Sequence, residues 1–152
     1  MEIERKFLVT QRPDALADAP SREIRQGYLA IDGTVEVRLR ADDAGHALTI
    51  KGGHGRTRLE EELELDADRF ERLWPLTEGR RVDKRRFCID LDDGHVLELD
   101  VYAGALQGLM TAEVEFASEA DSEAFTPPDW VGPELTGDAR YANQSLAAHG
   151  RP

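Results

Sequence analysis

The sequence has very little cysteine: Cys88 is the only one among 152 residues. A single cysteine excludes an intrachain disulfide and favours a reducing compartment. The sequence also lacks an apolar run long enough to span a bilayer, and charge begins at residue 2, so we expect neither a membrane span nor a signal peptide. These absences predict a cytoplasmic protein. Without an accompanying histidine pattern, Cys88 is interpreted as a small buried residue rather than a catalytic thiol.

Positive charge is scarce as well. Lys and Arg number 19 against 31 Asp and Glu, so the net charge is 19 − 31 = −12. This balance argues against nucleic-acid and anionic-membrane partners, because both require a positive surface. Hydrophobic residues at 40% and charged residues at 33% predict a charge-rich globular protein. We find no linker or internal repeat, so residues 1–152 are predicted to form one domain, as a monomer or homodimer.

Most of the chain alternates between apolar and charged side chains, which is the pattern of β-strands. Turn-forming sequences lie at residues 31–34, 42–45 and 92–94, and favour hairpins between neighbouring strands. The predicted strands cover residues 1–9, 24–30, 34–41, 47–51, 58–65, 82–89, 96–102 and 111–116. Seven or eight antiparallel strands in one twisted sheet tend to curl or close into a barrel.

Helical patterns occupy the remaining segments. Phe70, Leu73, Trp74 and Thr77 recur at helical spacing, and Pro75 should shorten that helix. We also expect a helical turn at residues 14–18, a short helix capped at Ser118, and a last helix at about residues 140–149. The glycine-rich segment 52–55 is either a lid or an ordinary hairpin tip.

The polar faces of the strands carry both signs of charge. The cations are Arg38, Arg40, Lys51, Lys84 and Arg86, and the carboxylates are Glu2, Glu4, Glu60, Glu62, Asp100, Glu113 and Glu115. One interpretation is a plain sandwich whose charges point to water. The other is a barrel whose apolar exterior is covered by the helices and whose charges line the interior.

A charged interior constrains what it holds. An isolated ion in a dry interior costs several kcal/mol, roughly, so the charges must be hydrated, paired or satisfied by bound ions. Carboxylate clusters suit Mg²⁺ or Mn²⁺, whereas arginines and lysines suit phosphate. The pattern of residues therefore favours a site for a polyphosphate carried with its metal.

Short motifs in the same strands resemble a known family. Glu2-x-Glu4-x-Lys6 resembles the ExExK signature of the CYTH superfamily, the triphosphate tunnel metalloenzymes. Further matching segments are Val37-Arg38-Leu39-Arg40, Thr49-Ile50-Lys51, Arg58-Leu59-Glu60-Glu61-Glu62, Lys84-x-Arg86-Phe87, Glu98-Leu99-Asp100-Val101 and Ala112-Glu113-Val114-Glu115-Phe116. The resemblance covers nearly the whole chain. It implies a mainly β fold, an eight-stranded antiparallel barrel tunnel with a charged lumen and helices outside.

The resemblance also implies roles for individual residues. The metal-binding carboxylates would be Glu2, Glu4, Glu113 and Glu115, joined by Glu60 or Glu62 and by Asp100. The phosphate-binding residues would be Lys6, Arg38, Arg40, Lys51 and Arg86. Lys84 would act near the leaving phosphate, with Glu4 and Glu115 as the other catalytic residues. Two Mg²⁺ or Mn²⁺ ions would bind, and no protein nucleophile would be needed.

The function implied by the resemblance is metal-dependent hydrolysis of inorganic triphosphate to pyrophosphate and phosphate. The alternatives are an enzyme acting on an organic triphosphate, as a thiamine triphosphatase or class IV adenylyl cyclase does, and a non-catalytic polyphosphate-binding module. Two arginines, Arg5 and Arg85, fall on the opposite strand face and are predicted to point away from the site. The four histidines lie beside glycines and are predicted to be solvated surface residues.

Overall fold

Eight β-strands dominate the computed structural model, which describes residues 3–53 and 59–152. The first four strands are β1 Ile3–Leu8, β2 Ser21–Asp32, β3 Val35–Asp42 and β4 Gly45–Gly52. The other four are β5 Leu59–Leu65, β6 Arg81–Asp90, β7 Val96–Tyr102 and β8 Met110–Phe116. The predicted strands are therefore present, with ends that differ by a few residues. The largest extension is at β2, which gains residues at both ends by pairing with β6 and β3.

The strands form one antiparallel sheet in the order β1-β8-β7-β6-β2-β3-β4-β5. Most neighbours are consecutive hairpins, and β2 pairs with β6 where the two sets of hairpins meet. Within residues 3–53 and 59–152, no ladder joins the outer strands β1 and β5, so hydrogen bonds do not close the sheet. Residues of both β1 and β4 line one cavity, which shows that the sheet nevertheless curls. The mainly β fold predicted from the sequence is confirmed.

The described residues contain three α-helices, and two of them cover the apolar face of the sheet. Helix α1, Ala67–Leu73, packs Phe70 against Leu39 and is followed by a 3₁₀ turn that contains Pro75. Helix α2, Glu119–Ala124, lies over β1 and β8 beside the cluster around Phe7. Side-chain oxygens cap both helices: Asp66 accepts from the Arg69 N–H, and Ser118 accepts from the Asp121 N–H.

The third helix lies on the other face of the sheet. Helix α3, Asn143–His149, packs Leu146 against Tyr28, Val82 and Tyr102, which share the strand face of the charged residues. The Tyr102 hydroxyl donates to Asn143 Oδ1 at 2.9 Å. The C-terminal segment therefore covers one end of the charged face, where the sequence pattern predicted helices outside only. In the part of the chain that is described, no helix has the length and hydrophobicity needed to cross a membrane.

Candidate phosphate-binding site

Strand register places the predicted site residues on one face of the sheet. Glu4 lies opposite Glu115, Lys6 opposite Glu113, and Arg86 opposite Asp100. On the other strands Lys51 lies opposite Glu60, and Arg38 and Glu62 both lie opposite Thr49. Directly opposed residues of an antiparallel pair point to the same side, so alternation gathers these charges on the concave face. Glu2 was predicted to belong to this set and lies outside the described residues.

A cavity of about 410 Å³ joins the two ends of the sheet. Its charged lining comes from β1, β3, β4 and β8, and one wall is the C-terminal segment 135–144. The predicted site residues in its lining are Glu4, Lys6, Arg38, Lys51 and Glu113. The structure thus brings proposed metal ligands and proposed phosphate-binding cations to one cavity.

A second cavity, of about 470 Å³, lies near the β3–β4 turn. Arg40 and Glu62 line it together with Asp42, His46 and Glu64. Seven predicted site residues are therefore divided between these two cavities, whereas Lys84 lines a third cavity, of about 720 Å³. Glu62, rather than Glu60, shares a cavity with an arginine, whereas Glu60 pairs with Lys51 at 3.8 Å.

A buried ionic network lies on β6 and β7. The Lys84 ammonium is 2.9 Å from Asp100 Oδ2, and the exposed fractions of the two side chains are 2% and 3%. Arg86 donates through Nε and Nη2 to the two oxygens of Asp100 at 2.8 and 3.0 Å. A third guanidinium nitrogen, Nη1, lies 2.9 Å from Glu98. Such a forked arrangement fixes the plane of the guanidinium.

Burial and pairing set the protonation of this network. Burial lowers the pKa of Lys84, and the Asp100 carboxylate opposes that effect only in part. Burial alone would raise the pKa of Asp100, but the neighbouring Lys84 and Arg86 reverse the shift and hold it below its usual value. The hydrogen bonds and charge of Asp100 outweigh burial at Arg86 and raise its pKa. Each charge in this network therefore stabilises the charged form of its neighbours against the effect of burial.

The two arginines of β3 are less completely paired. The Nε atoms of Arg38 and Arg40 are buried, and neither has a hydrogen-bond partner within the described ranges. Burial lowers the pKa of Arg40, and the nearby Arg86 and Arg38 lower it further. Its contact with Asp42 is long, at 3.8 Å. Buried donors without acceptors are costly, so this part of the face favours an anionic ligand.

The carboxylates of the face are mostly held by cations. Glu113 lies 3.6 Å from the Lys6 ammonium, which also donates to the Tyr141 carbonyl at 2.7 Å. Among residues 3–53 and 59–152, no three His, Cys, Asp or Glu side chains converge closely enough to hold a metal ion. The donor types nevertheless fit a hard divalent cation, since Glu4 and Glu113 line one cavity and Glu115 lies opposite Glu4.

Arg5 and Arg85 point to the opposite face, as predicted. Arg5 donates to both oxygens of Glu134 and to the Ser122 and Phe125 carbonyls. Arg85 donates to Glu23 at 2.7 Å. These arginines are structural neighbours of the site and do not line it.

The prediction of solvated histidines is wrong at two positions. His46 lies in β4 and packs its ring 4.8 Å from that of Phe70. His95 packs against Phe116 and lies 3.1 Å from Asp121. His149 is exposed, while His54 and the proposed lid residues beyond Gly53 lie outside the described residues. Cys88 is half-buried and lies opposite Glu98.

The sequence patterns missed the side chains that join the C-terminal segment to the site. Tyr28 lines the 410 Å³ cavity and accepts a hydrogen bond from Gln26, and Asn143 lines the same cavity. One signal was available: Tyr28, Val82 and Tyr102 are apolar or aromatic residues at positions where the strands otherwise carry charge. Such exceptions mark where another element docks on a polar face.

Comparisons with known proteins agree with this arrangement. No family model matches the chain. An inorganic triphosphatase from Nitrosomonas europaea is 49% identical over 147 residues, which cover 96% of each chain. One from Acetivibrio thermocellus is 38% identical over 149 residues, covering 95% of this chain and 92% of the relative. A crystal structure of an inorganic triphosphatase superposes with a TM-score of 0.83 at 45% identity, covering all of this chain and 97% of the other. The chain therefore belongs to the family of these inorganic triphosphatases.

Proposed function

We propose that this protein hydrolyses inorganic triphosphate to pyrophosphate and phosphate with the help of a divalent metal, as a member of the CYTH superfamily. The observation that carries the proposal is the pair of buried arginine Nε atoms, on Arg38 and Arg40, that lack acceptors in the described part of the chain. They lie on the same face as the carboxylates and lysines of the 410 Å³ cavity. The names and the high identity of the two relatives support the same substrate.

Cations on the concave face bind and orient the substrate in this proposal. Lys6, Arg38 and Lys51 line the cavity, so a phosphate there would replace their present partners. Arg40 and Arg86 extend the positive surface toward the second cavity. Phosphate oxygens accept from guanidinium and ammonium groups through charge-assisted hydrogen bonds, which are short and strong. Lys84 stabilises the leaving phosphate from its buried position on β6.

Carboxylates of the outer strands hold the metal in this proposal. Glu4, Glu113 and Glu115 supply the oxygen donors, and Glu2 and either Glu60 or Glu62 complete the set for two Mg²⁺ or Mn²⁺ ions. Such ions neutralise phosphate charge and lower the pKa of a bound water. The protein holds the triphosphate in line for water attack, and no side chain has to form a covalent intermediate.

A substrate panel tests the proposed reaction. Tripolyphosphate, ATP, thiamine triphosphate and pyrophosphate are each supplied with Mg²⁺ and with Mn²⁺, and the products are separated by ion chromatography. We expect pyrophosphate and phosphate in equal amounts from tripolyphosphate, and little product from the others. Faster cleavage of ATP or thiamine triphosphate would identify an organic substrate, and binding without any cleavage would identify a non-catalytic module.

Variants and chelation test the metal. Glu4→Gln and Glu115→Gln each remove a negative donor without changing side-chain size, so both should abolish turnover while the far-UV circular dichroism stays unchanged. Chelation with EDTA should stop hydrolysis completely, and added Mg²⁺ should restore it. Normal activity of both variants at limiting metal would contradict the proposed metal site.

We further expect one domain over residues 1–152, a cytoplasmic location and no nucleic-acid or membrane partner. The negative net charge supports the last of these. Light scattering after size-exclusion chromatography distinguishes a monomer from a homodimer.

A further inference from the structure

Both oxygens of Asp100 are already engaged by protein cations. Arg86 donates to Oδ1 and Oδ2, and Lys84 lies 2.9 Å from Oδ2. The Asp100 side chain is almost completely buried, with an exposed fraction of 3%. Its neighbour Glu98 differs on both counts, because within residues 3–53 and 59–152 its ion pair is with Arg86 and its side chain is 34% exposed.

This engagement conflicts with a role as metal ligand. Arg86 and Lys84 already occupy three of the roughly four acceptor positions of the Asp100 carboxylate, so a metal ion would bind beside two positive charges or displace one of them. A displaced Lys84 would lose its closest counterion. Breaking a buried ion pair is strongly unfavourable for that reason. A divalent ion beside Lys84 and Arg86 would also be repelled by both of them. Glu4, Glu113 and Glu115 are more exposed than Asp100, so a cation can reach them at a lower cost in desolvation.

The same engagement gives Asp100 a different role. Lys84 and Arg86 lie on a face that already holds Arg38 and Arg40, whose charges disfavour further cations. A buried carboxylate between Lys84 and Arg86 offsets this repulsion, and its two oxygens fix the guanidinium plane and the ammonium position. Fixed cations cost no reorganisation when the substrate's charge develops.

We propose that Asp100 is a positioning residue, which holds Lys84 and Arg86 toward the substrate phosphates and does not bind the metal. This assignment rests on the proposed triphosphatase function. It separates two sets of carboxylates that share one face: Glu4, Glu113 and Glu115 would hold the metal, whereas Asp100 holds Lys84 and Arg86.

Asp100→Asn tests the assignment. The amide keeps the size of the side chain but replaces one acceptor oxygen and the negative charge with an NH2 donor, so at least one contact to Lys84 or Arg86 is lost and their positions are no longer fixed. We expect KM for tripolyphosphate to rise and kcat to fall, each by roughly tenfold or more. The Mn²⁺ affinity of the substrate-free protein, measured by electron paramagnetic resonance, should equal that of the parent. Glu4→Gln should lose Mn²⁺ affinity in the same measurement.

Glu98→Gln is the matched control, because Glu98 contacts Arg86 but not Lys84 and is partly exposed. Its KM and kcat should change by at most about fivefold. A weaker Mn²⁺ affinity of Asp100→Asn, by roughly tenfold or more, would overturn the assignment and restore Asp100 as a metal ligand. Equal kinetic effects of Asp100→Asn and Glu98→Gln would overturn it as well.

A second variant covers the case in which Asp100→Asn does not fold. Lys84→Met combined with Asp100→Asn removes both buried charges, so its melting temperature should lie above that of Asp100→Asn. Its kinetic defect should remain, because Lys84 is gone and Arg86 is still unanchored; parent-like KM and kcat would overturn the proposal. A parent that cleaves no tripolyphosphate would overturn the proposed function alone, since the Mn²⁺ measurement tests Asp100 without turnover.

Discussion

The buried cations on the two halves of the concave face differ in how completely they are paired with protein groups. On β6 and β7, Lys84 and Arg86 are paired with Asp100 and Glu98. On β3, Arg38 has a buried Nε that finds no acceptor in the ranges the structure describes, and the same holds for Arg40. We call these the paired half and the open half. The paired half is electrostatically complete without ligand, whereas the open half gains most from a bound anion.

Packing on the apolar face differs between the centre of the sheet and its β5 edge. Leu99 of β7 is 0% exposed and lies in the cluster that includes Phe7 and Phe125. Leu63 of β5 is 55% exposed, although it belongs to the same kind of strand face. The difference arises because α1 contacts β4, while β5 forms the edge of the sheet. Buried positions such as Leu99 therefore contribute more to stability than edge positions such as Leu63.

The largest expected effect contrasts these two leucines. Leu99→Ala should destabilise the protein by about 2–5 kcal/mol, because it removes buried methyl groups and leaves a cavity. Leu63→Ala should change the free energy of unfolding by no more than about 0.5 kcal/mol, because the side chain is largely in water already. Urea unfolding followed by circular dichroism measures both. Equal losses would show that the central position and the edge position do not differ in packing.

The alternation of residues was sufficient to predict the sheet, and the reason is physical. A period of two fixes the side chains of each strand to one face, so Lys51 and Glu60 could be placed together before their register was known. Alternation does not describe which charges pair within a face. The engagement of Asp100 by Lys84 and Arg86 depends on side-chain rotamers and on burial by the neighbouring strands.

The position of the last helix was also beyond the strand pattern. Leu146 and Ala147 predict a helix with an apolar face, and we expected that helix to pack on the apolar face of the sheet. The helix instead docks on Tyr28, Val82 and Tyr102. Contacts between residues far apart in the sequence determine which face of the sheet a helix covers. The periodicity of a short segment carries no information about those contacts.

Arg38→Ala gives the next largest effect and tests the open half. Charge-assisted hydrogen bonds are worth about 1.5–3 kcal/mol each, so kcat/KM for tripolyphosphate should fall roughly tenfold to hundredfold or more. Stability without ligand should change little or rise, because a buried donor without an acceptor and a repulsive charge are both removed. Steady-state kinetics and thermal unfolding measure the two quantities.

Arg85→Ala is the control, since Arg85 lies next to Arg86 in sequence but donates to Glu23 on the opposite face. It should cost far less activity than Arg38→Ala. Tripolyphosphate with an inert metal should also raise the melting temperature of the parent more than that of Arg38→Ala. If the two variants behave alike in both assays, the assignment of inward and outward residues by alternation fails.

The smallest expected effect is a pH dependence at His95, on the outer side of the paired half. Its Nε2 lies 3.1 Å from Asp121 of α2, and its Nδ1 lies 2.9 Å from Asp93 in the β6–β7 turn. The hydrogen bond to Asp121 and the nearby Asp93 carboxylate raise the pKa of His95 above its usual value. A raised pKa in the folded state means that protonated His95 adds stability. That stability is fully present below the unfolded pKa of about 6.5 and is lost as pH rises through the folded pKa.

Urea unfolding midpoints between about pH 5.5 and about pH 8.5 measure this contribution. The parent should lose stability over the upper part of that range, and His95→Gln should show a flatter dependence because it has no titrating group between the two carboxylates. His149→Gln serves as the control, since His149 is exposed at the end of α3 and should leave the dependence of the parent unchanged. If the parent and His95→Gln show the same pH dependence, charge does not stabilise the contact between α2 and the β6–β7 turn. Packing of His95 against Phe116 and Phe125 would then hold this contact.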